Sequence, residues 1–256
     1  MADGSSTILS TLENQIQKVV INRPTKNNAL SLSMYKELTM LLNESGKNNK
    51  VLMFVLTATG NFFSSGNDID ITSMEFSHDN LQNANLTFKE FVDALIMYPK
   101  LLVAIVNGPA IGIACTMLGL FDMVYASDKA YFRTPFSSLG LIAEGCSTYT
   151  FPRLLGSSKA GDMLYMGYKM SAHEAKQYGL VSEVYNHNVL EVWDYLNQVS
   201  KLSSESIMAT KGLVVKWKRE TLLEVNAEET KELLKRWESP DLLERFLTFL
   251  TRKNKL

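Results

Sequence analysis

The chain has 256 residues, 46% hydrophobic and 21% charged, which fits one large or two small globular domains. That composition excludes a largely disordered chain, a collagen-like repeat and a disulfide-stapled miniprotein. A formal net charge of -1 gives the chain as a whole no electrostatic reason to bind nucleic acid.

The opening MADGSSTILS has no basic segment leading into an apolar one, so no secretory signal is expected. Asp3 and Glu13 precede the first arginine, Arg23, which argues against a mitochondrial transit peptide unless one has already been removed. Ile16 to Ile21 is predicted as a strand that ends at Asn22-Arg23-Pro24. From Ser33 to Ser45, Met34, Leu38, Leu41 and Leu42 share one helical face, and Gly46 stops the helix. The unbroken apolar run Val51 to Leu56 predicts a strand covered on both faces. A turn-rich loop, Thr59 to Asp68, follows, then a helix from Leu86 to Tyr98 ahead of Pro99.

Leu101 to Phe121 carries no charge and is long enough to span a bilayer. Asn107-Gly108-Pro109, Gly112 and Gly119 interrupt it, so a buried strand, a turn and a buried helix are predicted instead, with no membrane span; a single transmembrane span is the minor alternative. Met123 to Ala126 is a further strand. Strands alternating with helices at this spacing predict βαβ units and an α/β fold. Ser171-Ala172-His173-Glu174 reads as a capping box opening a helix that ends at Gly179, and Val181 to Tyr185 as a short strand. From Val189 onward the pattern is helical, with Lys, Arg and Glu between apolar positions. A solvated helix face explains those charges, and oligomer packing through the apolar side is compatible with it. A soft boundary near residue 200 separates an α/β core, 1–200, from a helical region, 201–256. The ending Asn254-Lys255-Leu256 differs in one residue from the peroxisomal Ser-Lys-Leu address; a basic tail ending in Leu by chance is the alternative.

The GxxxxGK[ST] phosphate loop, the HExxH zinc helix and the GxSxG nucleophile elbow are all absent. His78, His173 and His187 are isolated, which favours surface or helix-end roles over metal binding. Two cysteines outside any CxxC pair point to a reducing compartment. Cys115 and Cys146 read as buried inert thiols, with a reactive Cys146 as the alternative.

Three irregular, glycine-bearing segments follow buried strands: Phe62 to Asp68, Asn107 to Ile113, and Leu139 to Cys146. In open α/β sheets, ligands bind outside the carboxyl ends of strands on such loops. Gly-containing turns running into helices leave outward backbone N–H groups, and two of them facing one point make an oxyanion hole from main chain alone.

These segments carry a resemblance to the crotonase (enoyl-CoA hydratase/isomerase) superfamily. It extends from Val19-Val20-Ile21-Asn22-Arg23-Pro24, with Asn28-Ala29-Leu30 behind it, to the helical end. It implies an α/β fold with a ClpP-like ββα-spiral core and a C-terminal helical trimerisation region. Phe63 to Asp68 resembles the first oxyanion loop of the family, and Asn107 to Gly112 the second. Carried over, the oxyanion donors are the backbone N–H groups of Asn67 and Ile113, and the substrate-binding residues are Ser64, Ser65, Gly66, Asn67, Asp68 and Ile113. Arg23 and Lys26 are implied partners for the phosphates of coenzyme A, ordinary solvated charge being the competing reading.

Hydratases of the family use two glutamates; the matching positions here hold Thr116 and Phe136, neither of which can act as a general base. The loop Ala143-Glu144-Gly145-Cys146 is instead similar to the Pro-Glu-Gly loop of peroxisomal-type Δ3,Δ2-enoyl-CoA isomerases, with Ala143 in place of Pro. The runs Gly119 to Asp122 and Tyr149 to Pro152 fit the same subgroup. The implied activity moves the double bond of 3-enoyl-CoA esters to the 2-trans position, in oxidation of unsaturated fatty acids, with Glu144 as the single catalytic acid/base. The alternatives are a non-catalytic acyl-CoA-binding scaffold and a 2-enoyl-CoA hydratase. Coenzyme A would be part of the substrate, with no metal and no separate cofactor. The resemblance further implies a homotrimer or dimer of trimers, and a location in the peroxisomal matrix reached through an import receptor that reads the C-terminus, with a mitochondrial or cytosolic location as the alternative.

Overall fold

The computed structural model describes residues 6–68, 78–186, 188–242, 244, 245 and 248. His187, the side chain of His78 and the ending Asn254-Lys255-Leu256 lie outside the described residues.

Nine strands form two sheets among the described residues: β1 Ile8–Glu13, β2 Ile16–Ile21, β3 Met53–Ala58, β4 Leu101–Val106, β5 Ala110–Ile111, β6 Met123–Ser127, β7 Tyr131–Arg133, β8 Met170–Ser171 and β9 Glu183–Tyr185. The main sheet has the order β1-β2-β3-β4-β6-β9, parallel throughout except for β1, and β5-β7-β8 form a small second sheet. The helices are α1 Leu32–Lys47, α2 His78–Met97, α3 Ile113–Thr116, α4 Ser147–Leu155, α5 Ser157–Leu164, α6 Ala172–Gln177, α7 Leu190–Val199, α8 Ser204–Lys216 and α9 Arg219–Trp237.

The unbroken apolar runs of β3 and β4 follow from a sheet covered on both faces. Phe54, Leu56, Leu102, Ala104 and Val106 pack with Met34, Leu38 and Leu42 of α1 and with Phe91, Val92 and Leu95 of α2. Met53, Val55, Val103 and Ile105 point the other way, onto Tyr125 and onto Val192 and Leu196 of α7. The uncharged stretch from Leu101 resolves into β4, a turn, β5, α3 and a 3-10 turn at Met117–Leu120. No helix among the described residues is long and apolar enough to cross a membrane.

Some elements depart from the sequence expectation. Strand β1 escaped prediction because only Ile8 of its six residues is buried, so it shows no alternation. It pairs with β2 through Asn14 and Gln15, both at positive φ (49° and 65°), a hairpin turn without the usual Asn-Gly signal. Helix α2 begins at His78 rather than Leu86, since the weak helix formers Asn80, Asn83 and Asn85 conceal its first turns. Packing on α9 supplies what propensity lacks, with Asn85 Nδ2 donating to the Thr230 carbonyl at 2.9 Å. The capping box forms as expected: Ser171 Oγ accepts from Glu174 N, and Glu174 Oε2 accepts from Ser171 N.

The C-terminal helices lie against the strand-bearing core. Lys211 of α8 donates to Asp122 at 2.6 Å, and the same carboxylate accepts the Leu102 N–H at 2.8 Å. Helix α9 rests on α2 and α4, and Asn226 Nδ2 donates to Asp93 Oδ1 of α2 at 2.8 Å.

Candidate active site

The three glycine-bearing loops meet at one place, beyond the carboxyl ends of β3 and β4. The first two are stitched together by main chain: Phe63 and Ser64 donate to the Pro109 carbonyl at 3.1 and 3.2 Å, and Ile111 N donates to the Ser64 carbonyl at 3.0 Å. Gly66 sits at φ +91°, and a Cβ there would lie 2.8 Å from the Ile111 carbonyl oxygen, so only glycine lets the backbones approach this closely.

This stitching assigns most of the nearby amide hydrogens. Ser65 N donates to Asn27 O, Gly66 N to Ser64 Oγ, Asp68 N to Leu30 O and Gly112 N to Arg133 O. Among the described residues, no group accepts the N–H of Asn67 or of Ile113. Ile113 opens α3, and a first helical residue has no intrahelical acceptor for its N–H.

The third loop closes over this pair. Gly145 has φ +68°, and a Cβ there would meet Ile113 Cδ1 and Thr116 Oγ1, each at 2.8 Å. Its neighbour Glu144 is therefore held against α3, with only 3% of its surface exposed. Asn67 Nδ2 donates to Glu144 Oε1 at 3.2 Å, and the buried Tyr35 hydroxyl of α1 donates to Asn67 Oδ1. A single residue thus offers its backbone N–H on one side and its amide to the carboxylate on the other. Burial, and secondly the Glu229 carboxylate, push the Glu144 carboxyl up to about 8, while the Asn67 amide pulls it back. Burial and then the Glu144 charge push the Tyr35 hydroxyl up as well, so it stays protonated.

Thr116 is fully buried, with its hydroxyl turned to the Ile113 carbonyl at 3.4 Å, and Phe136 is buried. Ser64 is buried, and its contacts to the second loop make it a scaffold for Asn67. Asp68 accepts from Arg23 Nη1 at 2.5 Å, and the same guanidinium nitrogen donates to the Ala29 carbonyl at 3.1 Å. That ion pair fastens the Asn67 loop to the end of β2. Lys26, one short turn away, is exposed.

Both thiols are buried, Cys115 in α3 and Cys146 beside the Glu144 loop. Burial drives each thiol far above its ordinary range, so the inert reading of Cys146 fits its surroundings better than the reactive one. Among the described residues, no three His, Cys, Asp or Glu side chains gather in a metal-binding cluster, and His173 is exposed.

Sequence reasoning missed three contributors: Tyr35, the side chain of Asn67, and Glu229. Tyr35 reads as one more member of an apolar helix face, and its hydroxyl is the only hint of a polar partner. Glu229 stands in the charged stretch Asn226-Ala227-Glu228-Glu229, which has no signal to separate it from solvated neighbours.

The family described as enoyl-CoA hydratase/isomerase matches residues 11–244. The chain belongs to the enoyl-CoA hydratase/isomerase family. Its relatives include enoyl-CoA delta isomerase 2 of Rattus norvegicus, 44% identical over 259 residues that cover 100% of this chain and 66% of the rat protein. The enoyl-CoA delta isomerase 3, peroxisomal, of Mus musculus is also 44% identical, covering 98% of this chain and 80% of its own length. The crystal structure of an enoyl-CoA hydratase/isomerase from Pseudoalteromonas atlantica T6c superposes with a TM-score of 0.88 at 30% identity, over 96% of this chain and 98% of that one. The crotonase fold expected from the loops is thus the fold found. The chain spans just under two thirds of the length of the rat relative.

Proposed function

We propose that the chain is a Δ3,Δ2-enoyl-CoA isomerase in which Glu144 is the one catalytic acid/base. The observation that carries this reading is a buried carboxylate hydrogen-bonded to Asn67, beside two main-chain N–H groups without an acceptor among the described residues, where Thr116 and Phe136 offer no second base. The 44% identity to named delta isomerases supports it.

Moving a double bond from C3–C4 to C2–C3 requires that a proton leave C2 and one arrive at C4. Removing the C2 proton gives a dienolate whose charge gathers on the thioester oxygen. The Asn67 and Ile113 N–H groups hold that oxygen, and each such donor is worth about 3–4 kcal/mol of barrier. Glu144 takes the C2 proton as carboxylate and returns it to C4 as the acid. A carboxyl near neutral pKa suits both halves, since a solvated glutamate would be a weaker base. The reaction is a proton shift, so its balance calls for no metal and no redox cofactor.

The purified chain is expected to convert 3-hexenoyl-CoA to the 2-trans ester while hydrating 2-hexenoyl-CoA poorly. Robust hydration would overturn the assignment of Thr116 and Phe136, and binding without turnover would favour the scaffold. Peroxisomal residence belongs to the same proposal, supported by the name of the mouse relative, and trimeric assembly follows from the family resemblance alone. A fluorescent fusion lacking residues 254–256 is expected to lose punctate import, and light scattering reads the assembly.

A further inference from the structure

Helix α4 starts without a cap of its own. Its N-cap residue is Cys146, at φ 62°, whose side chain caps nothing, and its first turn contains no acidic residue. Serine, threonine, aspartate or asparagine ordinarily fills this role by accepting a first-turn N–H. Here the acceptor comes from α9, more than eighty residues on. Glu229 Oε2 accepts the Cys146 N–H at 2.7 Å, and Oε1 accepts the Thr148 N–H at 3.0 Å and the Thr148 hydroxyl at 2.6 Å. Helix α9 holds the same turn a second time, through Cys146 Sγ donating to the Leu222 carbonyl at 3.4 Å.

Glu229 is buried, and among the described residues no cation pairs with it. Burial pushes its carboxyl up, and the three donors pull it back. Both of its oxygens face main-chain N–H groups at a helix N-terminus, a setting that favours the ionised form. The other titratable groups around it and Glu144 are Tyr35 of α1, Cys146, and Asp93 of α2, the last paired with Lys89. The first reaching hand of α9 therefore grips the chain two residues beyond Glu144.

We propose that Glu229 is a positioning residue for Glu144: by capping α4 from another helix, it fixes where the loop presents the catalytic carboxylate. The inference rests on the isomerase reading and adds to it a control by the C-terminal helix over the base. Glu229→Gln preserves shape but turns one acceptor into a donor aimed at an N–H, and it removes the anion that raises the proton affinity of Glu144. Its kcat on 3-hexenoyl-CoA is expected to fall about 10- to 100-fold with KM within about threefold. The acid limb of its pH profile is expected to move to lower pH. Thr148→Val, which removes only the hydroxyl donor, is expected to lower kcat less, again at unchanged KM.

A 13C titration of the Glu144 side-chain carboxyl, assigned by its loss in Glu144→Gln, reads the same coupling without turnover. Absence of isomerisation by the wild-type chain would remove the functional reading, while a lower Glu144 titration in Glu229→Gln would still uphold the coupling. Wild-type kcat, or a lowered kcat with an unmoved titration, in folded Glu229→Gln would overturn the proposal. Should Glu229→Gln fail to fold, Thr148→Val decides, and a wild-type rate there overturns it.

Discussion

Glu144→Gln is expected to lower kcat for 3-hexenoyl-CoA isomerisation by about a hundred- to ten-thousandfold, the range general acid–base catalysis commonly supplies. The amide fills the same space and can still accept from Asn67 Nδ2, so KM should change little. Neither Thr116 nor Phe136 can take over the proton, and the buried Tyr35 hydroxyl, pushed up by burial and by the Glu144 charge, is a poor base. In the wild-type chain, kcat/KM is expected to rise with pH through about 8, because the free enzyme must carry the carboxylate before it can abstract from C2.

The same substitution should leave the fold more stable. The folded-state carboxyl sits near 8 against an ordinary 4.5, so protonated Glu144 is the form the fold favours. That contribution is full below about 4.5 and is lost as pH rises through about 8. Glu144→Gln should therefore gain most in denaturant midpoint above pH 8, and an unchanged midpoint there would contradict the burial of the charge. Loss of catalysis with gain of stability is the signature of a group held in an unfavourable medium for chemical use.

Gly66→Ala is expected to lower kcat about a hundred- to a thousandfold through the oxyanion donors. The new methyl meets the Ile111 carbonyl oxygen at 2.8 Å and adopts φ +91°, which an L side chain rarely tolerates. Relief requires the first loop to move off the second, carrying the Asn67 N–H away from the Ile113 N–H. It also drags the Asn67 amide from Glu144, so both arms of the site suffer. Near-native circular dichroism together with the rate loss would locate the damage in the site; an unaffected rate would mean that the two N–H groups do not act on one oxygen.

The first two loops were legible because glycine, and in the second also proline, punctuates them after the apolar strands β3 and β4, whereas the third follows the short, partly exposed β7 and stood out by its glycines alone. Asn67, Ile113 and Glu144 came from loop resemblance, and the structure brings all three to one place. What the sequence concealed depends on partners distant in the chain. Nothing local marks Tyr35 as the group that orients an amide, since a tyrosine on an apolar helix face is commonly packing alone. Helix α4 went unread because Pro152 lies inside it and a cysteine stands at its N-cap, both contrary to the usual start signals. The edge strand β1 has five exposed residues out of six, so backbone pairing with β2 rather than burial decides its conformation.

The cap on α4 has a consequence for synthesis. Cys146 and its acceptor are 83 residues apart, and α9 begins only at Arg219. A nascent chain that has emerged through α7 already carries Glu144 and the Asn67 and Ile113 N–H groups, yet the Glu229 carboxylate that caps the turn after Glu144 is still to come. Under the proposed function, turnover should thus arise late on the ribosome, when α9 docks on α4, instead of growing with chain length.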